Sequence, residues 1–419
     1  MLSIRSNSNS GPSVLDAAVA GSGLVPAFQP IVSLADGLTV GFEALARWPN
    51  LADPSPQPVI DYAMSSGQID VLDRACIDAA VRGALAGGLP GGSLLLVNCE
   101  PASPYTGRAD DDVMAQGHDE LTLMFEFTER DLLAHPRTVL RKVAALRADG
   151  FTVALDDIGV HPDSLALLDV ICPDVVKLDI DLIQTQPRYD QARTLSAVLA
   201  HHERTGAVIL AEGIETENHL EQALAMGATL GQGYRYGRAA SLDGQRPSAW
   251  SPPVRADGNA PAPGSPFELV SSHAPIRTAR KQTLNAFTRH IESQAARVAD
   301  PPMVLSALQR GDHFTALTEK RYRELAETCP LVAVFAENLP ENIGSKVRRI
   351  SLNPADLLCL EWTVVVLGPH HCVALLAREL TPEDDRPMLS DMDRLFEFAI
   401  TYDRELVTVA ARNMLDRMV

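Results

Sequence analysis

The sequence predicts an α/β protein in which a closed, TIM-like (β/α)8 barrel is followed by a smaller α+β domain. Short apolar runs alternate with amphipathic stretches from about residue 28 to about residue 237, and about eight such runs occur there. This alternation indicates a mainly parallel sheet covered on both faces. Eight strands in roughly 230 residues fit a closed barrel better than an open sheet.

Each candidate barrel strand is a short run rich in apolar residues. The runs are FQPIVSL (28–34), VGFEALAR (40–47), SLLLVNC (93–99), LTLMFEF (121–127), FTVALDD (151–157), DVVKLDI (174–180), AVILAEG (207–213) and the surroundings of TLGQGY (229–234). Amphipathic stretches lie between them. Two of these stretches end at Gly150 and Gly227, and glycine is a common residue just after a helix.

A change of composition divides the chain. Residues 250–265 are rich in Pro, Gly and Ala and poor in large apolar groups, which indicates a linker. Beyond it we expect consecutive short strands, a helix over 276–298 and a long closing helix over 390–416. The expected organisation is a flexible N-terminus (1–23), the barrel (24–249), the linker (250–265) and a second domain (266–419).

Charge and hydropathy exclude several function classes. The chain has 36 basic and 54 acidic side chains and a net charge of −18, which argues against binding of duplex nucleic acid. No apolar run approaches the roughly 20 residues that a membrane-spanning helix needs. The N-terminal segment lacks a signal-peptide core because Asp16 interrupts its only apolar stretch. We therefore expect a cytoplasmic protein.

Polar side chains occur where the candidate strands end. They are Glu43, Asn98, Glu126, Asp156 with Asp157, Lys177 with Asp179, Glu212 and Gln232. The carboxyl ends of parallel barrel strands meet on one face, where the active sites of such barrels lie. Crowded carboxylates repel one another and need cations nearby. Carboxylate and amide oxygens without His or Cys favour hard ions such as Mg²⁺ or Mn²⁺. Two adjacent aspartates can serve two ions when one carboxylate bridges them.

Seven ordered motifs over about residues 24–240 resemble those of the EAL family of cyclic di-GMP phosphodiesterases. They are FQPIVSL with GFEALARW, LLVN, FEFTE, ALDDIG, VVKLD, AEGIETE and GQGYRYG. The resemblance implies metal-dependent hydrolysis of cyclic di-GMP to pGpG by a water that two divalent ions activate. It also implies a homodimer, because the family often dimerises through this barrel.

The resemblance implies a role for each matching residue. Glu43, Asn98, Glu126 and Asp156 would bind one ion, and Asp156, Asp157 and Glu212 would bind the second. Lys177 would position the attacking water, and Glu212 would help as a base. The remaining matches are three substrate contacts (Gln29, Arg47 and Gln232) and two supports of the loop that follows Asp157 (Glu129 and Glu215).

Each residue taken alone has a simpler interpretation. Glu43 or Gln232 could be a cap or surface group, Asn98 could cap the following segment, and adjacent aspartates before a glycine often form a turn. Lys177 is the hardest to explain this way, because lysine is rarely buried without a partner. The agreement of seven strand ends favours the metal site.

The loop after the aspartates, DDIGVHPDSLALL (156–168), departs from the family pattern. Ile158 stands where active members carry an aromatic residue, His161 replaces a second glycine, and Pro162 stiffens the loop. An alternative is therefore an impaired EAL domain that acts as a cyclic di-GMP receptor or signalling scaffold.

Three C-terminal segments resemble the DICT domain, a sensory module: RGDHFTALTEKRYRELAE, EWTVVVLGPHHCVALLARE and DRLFEFAITYDRELV. That resemblance covers about residues 265–415. It implies a regulatory domain with a ligand of unknown identity.

Overall fold

The structure is a computed structural model that describes residues 14–51, 55–160, 162–185, 188–242, 244–252, 263–380 and 390–418. The chain divides into two compact units. The first consists of Met1–Phe127, Ala145–Ala154 and Leu210–Pro252, and the second of Thr128–Ala144, Leu155–Ile209 and Pro253–Val419. Of the expected flexible N-terminus, 1–23, residues 1–13 lie outside the described residues, whereas Val14–Val19 form a helix. Most of the expected linker, 253–262, also lies outside them.

Eight strands close into a barrel in chain order, which confirms the predicted fold class. They are β1 (Val25–Ser33), β2 (Thr39–Arg47), β3 (Ser93–Asn98), β4 (Leu121–Thr128), β5 (Thr152–Ile158), β6 (Val175–Leu178), β7 (Val208–Ala211) and β8 (Leu230–Gly231). Consecutive residues such as Leu94, Leu95 and Leu96 of β3 have no exposed surface. Both faces of this strand are therefore covered, as expected in a barrel with outer helices.

One strand runs against its neighbours. β1 pairs antiparallel with β2 and with β8, whereas β2 pairs parallel with β3. β1 is thus the exception to the mainly parallel arrangement that the sequence predicts. The reason is local: only a short turn, residues 34–38, joins β1 to β2, and a turn of that length permits only an antiparallel hairpin.

Helices connect most of the strands. In the barrel region they are α1 (Val14–Val19), α2 (Gln57–Ser66), α3 (Ile69–Ala86), α4 (Asp112–Glu120), α5 (Glu129–Ala134), α6 (Pro136–Ala148), α7 (Leu168–Ile171), α8 (Ile180–Gln184), α9 (Tyr189–Thr205) and α10 (Glu217–Ala225). None of the helices in the described ranges combines the length and apolarity that a membrane span requires.

The C-terminal domain is a seven-stranded mixed sheet with strand order β12-β11-β10-β13-β14-β15-β9. Its strands are β9 (Arg277–Arg280), β10 (Met303–Arg310), β11 (Val332–Glu337), β12 (Val347–Ser351), β13 (Glu361–Leu367), β14 (Cys372–Glu379) and β15 (Leu395–Thr401). Its helices are α11 (Pro266–Ser271), α12 (Lys281–Ala295), α13 (Ala316–Leu325) and α14 (Arg404–Leu415). The predicted α+β architecture is confirmed.

Two predicted helices were too long. The helix expected over 276–298 begins only at Lys281, because Arg277–Arg280 pairs as β9 with β15. The closing helix expected over 390–416 begins at Arg404. In Leu395–Thr401, Phe396 and Phe398 are buried at period two, which suits a strand, and the Asp403 carboxylate caps the helix that follows.

A buried cluster of charges lies in the second unit. Asp169, in the first turn of α7, contacts His201 Nδ1 at 2.9 Å, Arg204 at 3.0 Å and the Arg404 guanidinium. Burial opposes ionisation of Asp169, but the hydrogen bond with His201 and the three cationic partners prevail and hold its pKa well below the usual value. The Arg412 guanidinium donates to the main-chain carbonyls of Asp169 and Val170.

Candidate active site

Glu43 on β2 has two other predicted site residues as neighbours. Gln29 is its direct cross-strand neighbour on the antiparallel strand β1. Gln232 Nε2 donates a hydrogen bond of 2.7 Å to Glu43 Oε2. Gln232 is buried, and its Oε1 has no hydrogen-bond partner among the described residues. That oxygen is available to accept a hydrogen bond from a ligand.

Asn98 and Glu126 lie on the same face of the sheet as Glu43. Glu43 is level with Leu96 on β3, and Asn98, two residues further on, is level with Glu126 on β4. Residues two apart on a strand share a face. Asn98 is exposed at the strand end, whereas Glu126 is only 2% exposed. The structure therefore aligns these three predicted ligands along neighbouring strands.

Asp73 holds the loop that follows Asn98, a role that the sequence analysis missed. Asp73 Oδ1 accepts a 2.8 Å hydrogen bond from the Glu100 amide, and its Oδ2 accepts one from the Ser103 hydroxyl. The Cys99 amide in turn donates to the Glu126 carbonyl. Asp73 is buried on the apolar face of α3. A carboxylate on the apolar stripe of an amphipathic helix was the available signal.

Lys177 on β6 is fully buried and contacts Asp156 at the end of β5. Its Nζ lies 3.0 Å from Asp156 Oδ1, and the two side chains are 0% and 14% exposed. A buried ammonium requires a partner of opposite charge. The structure thus brings these two predicted site residues into direct contact.

Asp157 has an unusual backbone conformation. Its φ of 59° places a non-glycine residue in the left-handed region. Its amide donates a 2.9 Å hydrogen bond to Asp156 Oδ1, and its carbonyl accepts one from the Val160 amide. The turn expected for adjacent aspartates is thus present.

Glu212 follows β7, and hydrogen bonds to the backbone of Gln232 hold the segment around it in place. The Gln232 amide donates to the Ala211 carbonyl, and the Ile214 amide donates to the Gln232 carbonyl. Gly233, at φ 155°, makes this approach possible, because a Cβ there would lie 2.2 Å from the Ile214 carbonyl oxygen. Asp156, Asp157 and Glu212 each offer a carboxylate oxygen within 4.8 Å of the others.

This donor set fits hard divalent cations. Two carboxylate charges 4.8 Å apart repel by about 3.5 kcal/mol at an effective dielectric constant of 20, so three together favour bound positive charge. The group contains oxygen donors and no His or Cys. Such donors suit Mg²⁺ or Mn²⁺ better than zinc.

The other predicted site residues have weaker structural support. The Arg47 guanidinium donates to the Ala46 carbonyl at 2.8 Å, and nothing described places it on a substrate. Glu215 is exposed ahead of α10, and its amide lies 3.3 Å from His219 Nδ1. Glu129 begins α5, but its side chain lies outside the described residues, as does His161 entirely.

Comparison with known proteins agrees with this geometry. Residues 13–239, more than half of the chain, match the model of the EAL domain. The chain belongs to the EAL domain family. Its EAL domain carries the seven motifs noted in the sequence. Residues 268–380 match the model described as "Sensory domain in DIguanylate Cyclases and Two-component system", the DICT domain.

Two relatives that match this chain have names that refer to cyclic di-GMP. The chain is 29% identical over 234 residues to "Probable cyclic di-GMP phosphodiesterase PdeG" of Escherichia coli K12, covering 53% of this chain and 46% of that protein. It is 29% identical over 223 residues to "Cyclic di-GMP phosphodiesterase RocR" of Pseudomonas aeruginosa, covering 50% and 56%. The match thus spans about half the length of these relatives.

A solved structure is also similar. It is the Klebsiella pneumoniae BlrP1 manganese/cy-diGMP complex, with 25% identity, a TM-score of 0.45, and coverage of 52% of this chain and 56% of that one.

Proposed function

We propose that this chain hydrolyses one phosphodiester bond of cyclic di-GMP and releases linear pGpG, with two Mg²⁺ or Mn²⁺ ions as cofactors. The observation that carries the proposal is the group formed by Asp156, Asp157 and Glu212 beside the fully buried Lys177. Membership of the EAL family and the names of the relatives support the choice of substrate.

The residues divide between two ions in this proposal. Glu43, Asn98, Glu126 and Asp156 would hold one, and Asp156, Asp157 and Glu212 the other. When bound, such ions lower the pKa of water and neutralise charge on phosphoryl oxygens. Bound cations also counter the repulsion that a chain with a net charge of −18 exerts on a phosphate-bearing substrate.

The side chains of the protein supply the remaining steps. The oxygen of a water attacks phosphorus as the bond from phosphorus to the ribose O3′ breaks. Glu212 accepts a proton from that water, and the leaving oxygen takes a proton from solvent. Lys177, fixed by Asp156, places a positive charge in a dry position near the charge that develops at phosphorus. Gln29, Arg47 and Gln232 would bind and orient the dinucleotide.

The domain organisation and assembly are part of the proposal. The barrel would occupy 24–249, a linker 250–265, and a regulatory DICT domain 266–419. We also propose a cytoplasmic homodimer. Light scattering on the purified chain tests the dimer, since a monomeric mass at micromolar concentration would exclude it.

A turnover assay with a matched pair of variants on one strand tests the function. Purified chain is incubated with cyclic di-GMP and Mn²⁺, and the products are separated by chromatography. Glu126→Gln at the end of β4 should reduce cleavage at least about 100-fold, because it removes a charged ligand. Glu120→Gln, an exposed residue just before the same strand, should leave cleavage unchanged. Glu43→Ala should also abolish cleavage, and wild-type activity in that variant would contradict the metal assignment.

The competing function is a receptor that binds cyclic di-GMP without cutting it. The departure of the loop after Asp157 from the family pattern is the observation in its favour, with Ile158 fully buried. Calorimetric binding without product in the turnover assay would establish the receptor. For an active enzyme, Lys177→Ala should reduce kcat far more than it weakens binding, and an equal loss of both would argue against its role in the transition state.

A further inference from the structure

A cavity of about 270 Å³ opens in the C-terminal domain, within the second unit. Helices α12 and α13 and strands β10 and β13 contribute its walls. This volume lies close to the lower end of small-molecule pockets, about 300 Å³, and suits a molecule of one or two fused rings. Its inner wall is formed by buried residues: Thr288, Glu292, Gln309, Tyr322 and Trp362. Its mouth includes the exposed residues Arg289, Asp312, Leu317, Asp391 and Met392.

Three buried polar atoms on the inner wall have no hydrogen-bond partner among the described residues. They are Glu292 Oε1, Thr288 Oγ1 and Trp362 Nε1, on side chains that are 3%, 5% and 8% exposed. The Tyr322 hydroxyl donates its proton to Ser306 Oγ at 2.5 Å and also lies close enough to Glu292 to lower the pKa of that carboxyl, against the larger effect of burial, which raises it. Buried polar atoms are normally paired, so three unpaired ones on residues that line one cavity indicate a missing partner.

These atoms define the hydrogen-bonding pattern of that partner. The other Glu292 oxygen, Oε2, accepts a 2.9 Å hydrogen bond from Arg321 Nε, which favours the ionised carboxylate although burial raises its pKa. An ionised Glu292 Oε1 can only accept, and the indole Nε1 of Trp362 can only donate. The partner therefore needs both an N–H or O–H group and an acceptor oxygen or nitrogen.

The charges that line the cavity cancel. Three cations, Lys281, Arg289 and Arg321, are matched by three carboxylates, Glu292, Asp312 and Asp391. Burial lowers the pKa of His313, which also lines the cavity, and so favours its neutral form. A balanced lining offers no net attraction to an ionic ligand, and the inner carboxylate would repel an anion.

We propose that this cavity binds a small uncharged lactam, a flat cyclic amide with an N–H group next to a carbonyl. The lactam N–H would donate to Glu292 Oε1, and the carbonyl would accept from Trp362 Nε1 or from the Thr288 hydroxyl. Leu308 and Leu317 supply apolar contact for the ring.

The backbone conformation at one wall of the cavity also indicates a preformed ligand site. Gln309 has a φ of 63°, and the register of β10 shifts between Ala307 and Arg310. Its Nε2 donates to the Leu360 carbonyl at 3.2 Å, which holds its side chain in place. Residues kept in this region of φ are often found at ligand sites.

An apolar ligand would leave all three inner polar atoms unpaired, which is costly.

Calorimetry on the full chain with a matched pair of probes tests the proposal. Carbostyril, a two-ring lactam, should bind one per chain with a Kd below about 1 mM. N-methylcarbostyril keeps the ring and the carbonyl but lacks the N–H group, and should bind at least about tenfold more weakly because Glu292 Oε1 stays unpaired. Equal affinity for the two probes, or no heat from either, would overturn the proposal. So would a crystal structure in which only water occupies the cavity at saturating carbostyril.

Variants of the inner wall add a second test. Glu292→Gln and Trp362→Phe should each weaken carbostyril at least about fivefold while the melting temperature stays near that of the wild type. Two separate variants are used so that a folding defect in one leaves the other informative. Glu324→Gln, on a residue of α13 that is 66% exposed, is the control and should change nothing. Unaltered affinity in both folded inner-wall variants would refute the site. These measurements do not depend on hydrolysis of cyclic di-GMP.

Discussion

The ion pair between Lys177 and Asp156 can be tested by a double-mutant cycle. At 3.0 Å the two charges attract by about 5.5 kcal/mol at an effective dielectric constant of 20. Desolvation of the buried ammonium offsets much of this attraction. Lys177→Met removes the cation and leaves the Asp156 carboxylate, only 14% exposed, without it. We expect a loss of about 3 kcal/mol in the free energy of unfolding.

Urea unfolding of four proteins measures the coupling. These are the wild type, Lys177→Met, Asp156→Asn and the double variant, all without added metal. The double variant should lose at least about 2 kcal/mol less than the sum of the single losses, because neither change leaves a lone charge once both are made. Saturating Mn²⁺ should reduce the loss in Lys177→Met, since the proposed ions would compensate the Asp156 carboxylate.

An exposed lysine–glutamate pair supplies the control. Lys320 and Glu324 lie 3.9 Å apart and are 75% and 66% exposed. The same kind of cycle at this pair should give a coupling below about 0.5 kcal/mol. If the losses at Lys177 and Asp156 were additive, with a coupling energy no larger than that of the exposed pair, their contact would not hold the site together.

Two further predictions concern stability. Gly233→Ala should lower the free energy of unfolding by more than about 2 kcal/mol because of the clash with Ile214, whereas Gly244→Ala, with open space around it, should cost about 1 kcal/mol or less in urea unfolding. Asp169 has a depressed pKa, so its contribution is complete above the unfolded value of about 3.9 and is lost as pH falls toward the folded value. Wild type should therefore exceed Asp169→Asn in stability by about 2 kcal/mol at pH 7, and the gap should narrow from pH 5 to pH 3; parallel stability curves would contradict this.

The sequence predicts the barrel strands well, because each is a compact apolar run between turn signals. It did not predict the direction of β1, since the direction depends on the length of a turn and not on the strand residues. It also assigned Leu395–Thr401 to a helix, because the strand residues and those of α14 together imitate helical periodicity. That segment is a strand because it pairs with β14 and β9, and such pairing depends on residues distant in the sequence.

The site follows the same pattern. The sequence could propose five of the candidate residues because a polar residue within or at the end of an apolar run is conspicuous: Glu43, Glu126, Asp156, Lys177 and Glu212. Supporting residues could not, since Asp73 is defined by its contacts with a loop about 30 residues away. The cavity in the C-terminal domain was equally hidden, because its walls come from helices and strands far apart in the chain.

The reversed first strand has a practical consequence for experiments on the barrel. Gln29 lies beside Glu43, and the chain runs away from there to the hairpin turn at residues 34–38, roughly 15 Å further along the strand at about 3.3 Å per residue. Gly37 in that turn has nothing within 4 Å of a Cβ added to it. A fluorophore or an affinity tag inserted at this tip would report on barrel folding, or attach the protein to a surface, while the carboxylate end stays open to solution.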